Sequence, residues 1–219
     1  RKDANVHVLT EPAHDNVVTT PVTANVEPKI TQNHVLSDII PGSETVEDGS
    51  LKEKTVDVQY GDTGYGYDDL FAEYLKGASI VMLEEPYLTH GFQVANLVRF
   101  VELLVKIGDC KVFRLVTKPG ETPEESTLIS DSLQRLKNTL DDMDDVSMAF
   151  EYEFDENSHD RYIRTSNNWD ITLGRGLHFY QNLNPNKDSR NFFQMGTYDL
   201  SLRPCLKTRF TFMKRNAKE

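Results

Sequence analysis

Residues 54–154 alternate between short apolar segments and longer segments with helical spacing, and this order constrains the fold more than any other feature. The short segments KTVDVQY, ASIVMLEE, CKVFRLVT and DVSMAFEYEF have the length and composition of strands. Between them, apolar residues recur every three or four positions, as in helices with one buried face. The sequence Thr122-Pro123-Glu124-Glu125 adds a helix start, and that helix is predicted to run to about Asp142. The order predicts an α/β fold with right-handed crossovers.

The two ends of the chain differ from this middle part. Near the C-terminus, the segments DRYIRTS, NWDITLGR, GTYDLSL and KTRFTFMK are short and strand-like, and they are predicted to extend the same sheet or to form an antiparallel annex. Residues 1–53 contain Pro12, Pro21 and Pro28 and show neither helical nor alternating periodicity. Such a segment buries too little apolar surface to offset its ordering entropy. We therefore predict a disordered linker over 1–53 and a single domain over 54–216.

Charge excludes one class of function and then suggests another. The 24 basic and 35 acidic residues give a net charge of −11, which excludes a protein that is cationic over its whole surface. By region the net charge is −4 for residues 1–55, −13 for 56–157 and +6 for 158–219. This division predicts a polarised surface whose basic part faces an anionic partner. The alternative is that the acidic and basic regions pair within the fold.

Other sequence features limit the kinds of site and the cellular compartment that this chain is predicted to have. Cys110 and Cys205 lie far apart and outside any metal-binding motif, so we predict reduced thiols, an intracellular protein and no metal site. No apolar run reaches the roughly 18 to 20 residues that span a bilayer. GDTGYGYDD is not a dinucleotide-binding motif, and no cofactor is predicted. Because the chain opens with Arg1 rather than Met, we expect it to be a piece of a longer protein.

The first polar cluster follows the second predicted strand. Its residues are Glu84, Glu85, Pro86 and Tyr87, followed by His90, Gln93, Asn96 and Arg99 on the next helix. Ligand sites in open α/β sheets favour the carboxyl ends of strands, so this cluster is a candidate binding site. The alternative is an ordinary helix N-cap followed by a solvated helix face.

The second polar cluster begins near residue 158. It contains Ser158, His159, Asp160, Arg161, Arg164, Asn167, Asn168 and Trp169, followed by the turn Gly174-Arg175-Gly176. A histidine beside arginines suits anion binding or attack on phosphorus, because imidazole is a nucleophile and guanidinium groups neutralise phosphate charge. The alternative is a turn at Asp160 and Arg161 that leads into a strand.

Several segments together resemble a known family. They are GYGYDDLFAEYL, EEPYLTHGFQVANLVRF, SHDRYIRTSNNWDITLGRGLHFY and YDLSLRPCLKT, in this order over about residues 54–216. They are similar to the phospholipase-D-like domain at the C-terminus of MIT-domain proteins. The resemblance implies a mixed sheet flanked by helices, homodimerisation, and binding to acidic phospholipids such as phosphoinositides. It also implies work with ESCRT filament proteins in cytokinesis and abscission, through a separate N-terminal MIT domain that residues 1–53 do not resemble.

The catalytic signature of phospholipase D is degenerate in this sequence. That signature is His-x-Lys with an acidic residue five positions after the lysine, and the matching positions are His159, Arg161 and Ser166. Arginine stays charged and is a poor proton donor, and the acidic residue is missing. We therefore expect a non-catalytic domain, with His159 as the residual candidate for phosphodiesterase activity.

The leading hypothesis is a lipid-binding module located peripherally at cytoplasmic membranes, and at the midbody in a eukaryote, with no nucleic-acid partner. The predicted anion-binding residues are Arg161, Arg164, Arg175, Arg203, Lys207 and Arg209. The predicted polar cluster comprises Glu84, His90, Asn96, Arg99, His159, Asp160, Asn168 and Trp169. Two alternatives are a regulatory module fused to a bacterial Lon-like or AAA ATPase and a surviving phosphodiesterase or nuclease.

Overall fold

The computed structural model describes residues 51–182 and 195–216. The predicted disordered linker lies almost wholly outside the described residues. In chain order the elements are β1 (Lys54–Val58), α1 (Tyr67–Leu75), β2 (Ile80–Glu84), α2 (Gly91–Ile107), β3 (Val112–Thr117), α3 (Pro123–Asp141), β4 (Ala149–Phe154), β5 (Tyr162–Thr165), β6 (Trp169–Leu173), a 3₁₀ helix (Leu200–Leu202) and β7 (Thr208–Lys214). The predicted alternation of strands and helices over 54–154 is confirmed.

The strands form one seven-stranded mixed sheet in the order β1-β7-β6-β5-β2-β3-β4. β2, β3 and β4 are parallel to one another, whereas β5, β6, β7 and β1 each run antiparallel to their neighbours. Three of the four C-terminal segments therefore extend the same sheet, which is the first of the two predicted arrangements.

The prediction of a strand in GTYDLSL is wrong, because its second half forms the 3₁₀ helix. The Asp199 carboxylate accepts hydrogen bonds from the backbone N–H of Ser201 at 2.9 Å and from its hydroxyl at 2.7 Å. A short polar side chain that satisfies a nearby backbone N–H offers the chain a local alternative to a strand ladder. This turn leads through Arg203 towards β7.

One face of the sheet carries the hydrophobic core. Paired residues such as Leu83, Leu115 and Ile163 share this face and are buried. Side chains of α1 and α2 pack on this face. The ring centroids of Phe71 on α1 and Phe210 on β7, for example, are 5.9 Å apart. The opposite face carries exposed ion pairs, including Arg114–Glu151 and Arg164–Asp170. Within the described residues, the helices thus leave one face of the sheet open.

Local signals set the ends of the two long helices. The Thr122 hydroxyl accepts a hydrogen bond from the Glu125 backbone N–H at 3.2 Å, so the predicted start of α3 is confirmed. α2 ends before Gly108. The φ of Gly108 is 80°, a left-handed conformation that glycine adopts readily at a helix C-terminus. The acidic residues at the end of α3 and just after it are all exposed, at the edge of the sheet where the parallel strands begin; they are Asp141, Asp142, Asp144 and Asp145.

Both cysteines are free, as the sequence predicts, and both are buried. Burial, together with the nearby Asp62 charge, raises the pKa of the Cys205 thiol to about 11. Burial also raises the pKa of Cys110. Because the thiolate is the reactive species, we expect both residues to resist iodoacetamide in the native protein at pH 8 and to react after unfolding in guanidinium chloride. Intact mass measured before and after unfolding checks this, and rapid native labelling would contradict it.

Candidate functional site

The two predicted polar clusters meet at one edge of the sheet, which we call the C-terminal edge. The parallel strands β2, β3 and β4 end there, and β5 and β7 begin there. The Ser158 hydroxyl donates a hydrogen bond to Glu84 Oε1 at 2.6 Å, which joins the second cluster to the first. The sheet topology therefore brings residues more than 70 positions apart into one site.

Glu85 is the buried centre of this site. Its side chain is 0% exposed, and its Oε2 accepts a hydrogen bond from the Leu177 backbone N–H at 2.9 Å. Its Oε1 lies 3.6 Å from Arg161 Nε and 3.3 Å from His178 Nε2. The Arg161 guanidinium also lies over the Tyr87 ring, 4.5 Å from its centroid. The Leu177 backbone N–H satisfies Oε2 and the nearby Arg161 cation offsets the charge, whereas Oε1 accepts no hydrogen bond from the described residues.

Glu85 belongs to the first polar cluster of the sequence, but the narrower list of eight predicted residues contains Glu84 and lacks both Glu85 and His178. Glu84 is half-buried, whereas Glu85 is fully buried. The signal that identifies Glu85 is alternation, because Val81, Leu83 and Glu85 point to the same face at a spacing of two. His178 follows the Gly174-Arg175-Gly176 turn, and no local pattern shows that this turn reaches β2.

On α2, the N-cap alternative holds for His90 and fails for Asn96. The His90 backbone N–H donates to Gln93 Oε1 at 2.8 Å, which is the arrangement of a capping box. Asn96 is buried rather than solvated, and it donates to the Leu177 carbonyl at 3.3 Å. Its Oδ1 accepts a hydrogen bond from Arg99 Nη1 at 3.1 Å. Asn96 thus links α2 to the segment that also contacts Glu85.

Two residues of the predicted polar cluster are not part of this site. Asn168 and Trp169 lie at the start of β6, and β6 ends at the C-terminal edge, so they lie at the opposite edge of the sheet. The Trp169 ring is buried at 4.9 Å from the Tyr74 ring, in an edge-to-face contact. Asn168 has a left-handed φ of 71°, which a short turn into β6 requires. Asp160 lies at the site and is exposed.

Four of the six predicted anion-binding residues lie at the C-terminal edge: Arg161, Arg175, Lys207 and Arg209. Arg209 is held by Asp57 through two hydrogen bonds of 2.6 and 3.1 Å, and Arg209 lowers the pKa of the Asp57 carboxyl. Arg164 lies on the open face of the sheet, where it pairs with Asp170. Arg203 lies in the loop after the 3₁₀ helix.

The remaining three cations form a group that we call the basic turn: Arg161, Arg175 and Lys207. Arg161 Nη1 donates to the Gly174 carbonyl at 3.3 Å, and Arg175 Nε donates to the Lys207 carbonyl at 3.1 Å. Arg175 and Lys207 are exposed, and no carboxylate of residues 51–182 or 195–216 forms an ion pair with either, although Lys207 adds to Arg209 in lowering the pKa of Asp57. The basic turn therefore presents two solvated positive charges.

Residues 64–214 match the sequence profile of a family described as the phospholipase D-like domain at the C-terminus of MIT. This chain belongs to that family. The chain is 35% identical over 165 residues to mouse MIT domain-containing protein 1, over 74% of this chain and 61% of that protein. It thus spans less than two thirds of that relative. A phosphatidylserine synthase from Haemophilus influenzae aligns with 81% of this chain and 39% of its own, at 8% identity and a TM-score of 0.36.

In this phospholipase-D-like domain, the three signature positions are separated. His159 is exposed, and its Nδ1 lies 3.2 Å from Lys118 Nζ. Arg161 forms an ion pair with the buried Glu85. Ser166 lies at the far end of β5, where its hydroxyl is 3.2 Å from the Ser79 hydroxyl. No carboxylate among the described residues contacts His159, so nothing there orients the imidazole as a carboxylate orients a nucleophile or base.

Residues 51–182 and 195–216 contain neither a cluster of metal ligands nor a membrane-spanning helix. No group of three or more His, Cys, Asp or Glu side chains converges there as a metal site would require. No helix among the described residues is both long enough and apolar enough to span a bilayer.

Proposed function

We propose that this domain is a non-catalytic module that binds anionic phospholipid headgroups, phosphoinositides among them, through the basic turn. The observation that carries the proposal is that Arg175 and Lys207 are exposed side by side without a carboxylate partner in the described part of the chain. Guanidinium groups recognise phosphate through charge-assisted hydrogen bonds. Each basic residue near an anionic membrane surface contributes about 1 kcal/mol to binding.

Part of the acidic charge lies away from this contact, whereas Glu121, Glu124 and Asp160 are exposed at the same edge as the basic turn. The run of aspartates from Asp141 to Asp145 follows α3, at the edge of the sheet opposite the basic turn. Glu85 is buried and is neutralised by Arg161. Asp57 is held by Arg209. The basic turn is therefore able to face a negatively charged surface while the exposed aspartate run faces away.

The absence of catalysis is proposed from the chemistry of the signature positions. Imidazole attack on phosphorus needs a neutral histidine, oriented by an acceptor on its other ring N–H, and a second group that protonates the leaving oxygen. His159 contacts Lys118, which is a cation, and the position of the signature lysine is an arginine that Glu85 and Tyr87 hold. These contacts favour binding over turnover.

Self-association and cellular role complete the proposal. The open face of the sheet carries Ile80 and Met213, both partly exposed, among its ion pairs, and a second copy of the chain is the proposed occupant of this face. Two copies raise the avidity for a membrane without any new lipid contact.

For the whole protein, we propose work with ESCRT filament proteins in late cytokinesis, at the cytoplasmic membrane surface and the midbody, with the filament contact made by a separate MIT domain.

Vesicle flotation tests the membrane contact. We expect the chain to float with phosphatidylcholine vesicles that contain a phosphatidylinositol phosphate, to remain behind with phosphatidylcholine alone, and to lose binding as salt is raised. The same incubation should release no soluble headgroup. Equal flotation with both vesicles would contradict the binding proposal. Headgroup release that disappears in His159→Ala would contradict the non-catalytic proposal.

A further inference from the structure

A second group of cations, which shares no residue with the basic turn, lies in a cavity of about 360 Å³ between α2 and the loop that precedes β7. Its described lining includes Phe92, Asn96, Arg99, His178, Tyr180 and Arg203. No aspartate or glutamate of residues 51–182 or 195–216 lines it. We call this cavity the Arg99–Arg203 pocket.

The two arginines of the pocket differ from the other arginines of the domain. Five described arginines pair with carboxylates: Arg114, Arg161, Arg164, Arg209 and Arg215. Arg135 and Arg175 have no such partner among the described residues, and both are exposed to solvent. Arg99 and Arg203 are partly buried and also have no carboxylate partner in the described part of the chain. Partly buried cations without a counter-ion are costly, since burial weakens their hydration.

The surroundings of Arg203 increase this cost, whereas Arg99 also lines a neighbouring cavity with Asp68, Asp69 and Glu102, none of which forms an ion pair with it. Burial lowers the pKa of Arg203, and the positive charge of Arg99 lowers it further, which shows that the two guanidinium groups repel each other. Arg203 Nε is buried and has no hydrogen-bond partner among the described residues. Arg99 Nη1 donates to Asn96 Oδ1, and Asn96 is itself fixed by the Leu177 carbonyl. The positive charges of Arg99 and Arg203 are thus held close to each other. An anion bound between them would neutralise both charges.

We propose that the Arg99–Arg203 pocket binds a phosphomonoester dianion. Two arginines match the charge of a monoester phosphate and offer several N–H donors, whereas a phosphodiester carries one charge. The volume lies within the range of about 300 to 1,000 Å³ that is usual for small-ligand sites. Phe92 and Tyr180 supply apolar wall for the organic part of the ligand.

This proposal does not rest on the proposed membrane contact, because the pocket shares no residue with the basic turn. The phosphomonoester has two chemical sources, a free metabolite or a lipid headgroup. Thermal unfolding in glycerol 3-phosphate, with sodium chloride of equal ionic strength as the reference, tests the free form. Vesicles with phosphatidic acid, a phosphomonoester, compared with phosphatidylserine, a phosphodiester, test the lipid form. Each is measured for the wild-type chain and for Arg99→Gln/Arg203→Gln.

We expect glycerol 3-phosphate to raise the unfolding temperature of the wild-type chain and the double variant to lose at least about tenfold in affinity. Without ligand, the variant should be as stable as the wild type or more so, because the repulsion between the arginines is removed. A preference for phosphatidic acid that disappears in the variant, without an effect of glycerol 3-phosphate, assigns the pocket to the lipid headgroup and supports the proposal. Responses that are equal in wild type and variant, or absent with both ligands, would overturn it.

The outcome is separable from that of the membrane contact. Replacement of Arg175 and Lys207 by Ala should leave the response to glycerol 3-phosphate unchanged, because neither residue lines the pocket. If the pocket fails its test while phosphatidylinositol phosphate vesicles still bind through the basic turn, only the phosphomonoester proposal is lost.

Discussion

Replacing Gly176 by alanine is expected to lower the free energy of unfolding by about 4 kcal/mol or more, which is at the severe end for a single substitution. Gly176 has a left-handed φ of 65°, and an added Cβ would overlap the Glu85 carboxylate, with its Cδ at 2.8 Å. Glu85 is fully buried and held by Leu177, so it has no room to move aside. Overlap and backbone strain therefore add together. Urea unfolding followed by circular dichroism measures the loss.

Gly77→Ala is the matched control for this substitution. Gly77 has a similar left-handed φ of 74°, but an added Cβ would meet nothing within 4 Å. It should therefore show only the cost of the backbone conformation, about 1 to 2 kcal/mol. If the two variants were equally stable, the close approach of the turn to Glu85 would be refuted.

Glu85→Ala is expected to cost about 3 kcal/mol, at the low end for breaking a buried ion pair, because Arg161 is itself 29% exposed. The substitution leaves Arg161 without its carboxylate and the Leu177 backbone N–H without its acceptor. Glu84→Ala is the control: Glu84 is half-buried and accepts a hydrogen bond from Ser158, so about 1 kcal/mol is expected. Chemical unfolding of both variants measures the difference. Equal losses would contradict the central position of Glu85.

The alternation of strands and helices was predictable because it is written in local periodicity. Each segment of residues 54–154 shows its own spacing of apolar positions, and short-range signals such as Thr122 fix the helix ends. The segment GTYDLSL was not predictable in the same way. Its apolar and polar residues alternate as in a strand, but the Asp199 side chain bonds the Ser201 backbone and bends the chain.

The candidate site was only half predictable, because its contacts depend on the order of the strands. Strand ends indicated Glu84 and Arg161, and the sheet brings them together. The same logic placed Trp169 in the site, although it begins a strand at the other edge. Whether a cation is free or paired is also set by long-range contacts: Asp57 holds Arg209 from 152 positions away. Composition counts the charges of a region but does not show which of them remain available.

The most direct test of the membrane proposal is the vesicle affinity of Arg175→Ala/Lys207→Ala compared with that of Lys111→Ala/Arg135→Ala. Both variants lose two exposed positive charges, but Lys111 lies at the opposite edge of the sheet and Arg135 on α3. On vesicles that contain a phosphatidylinositol phosphate, the first variant should bind about 2 kcal/mol more weakly, roughly 30-fold. The second should bind nearly as tightly as the wild type. Equal affinities of the two variants would show that the basic turn is not the membrane contact.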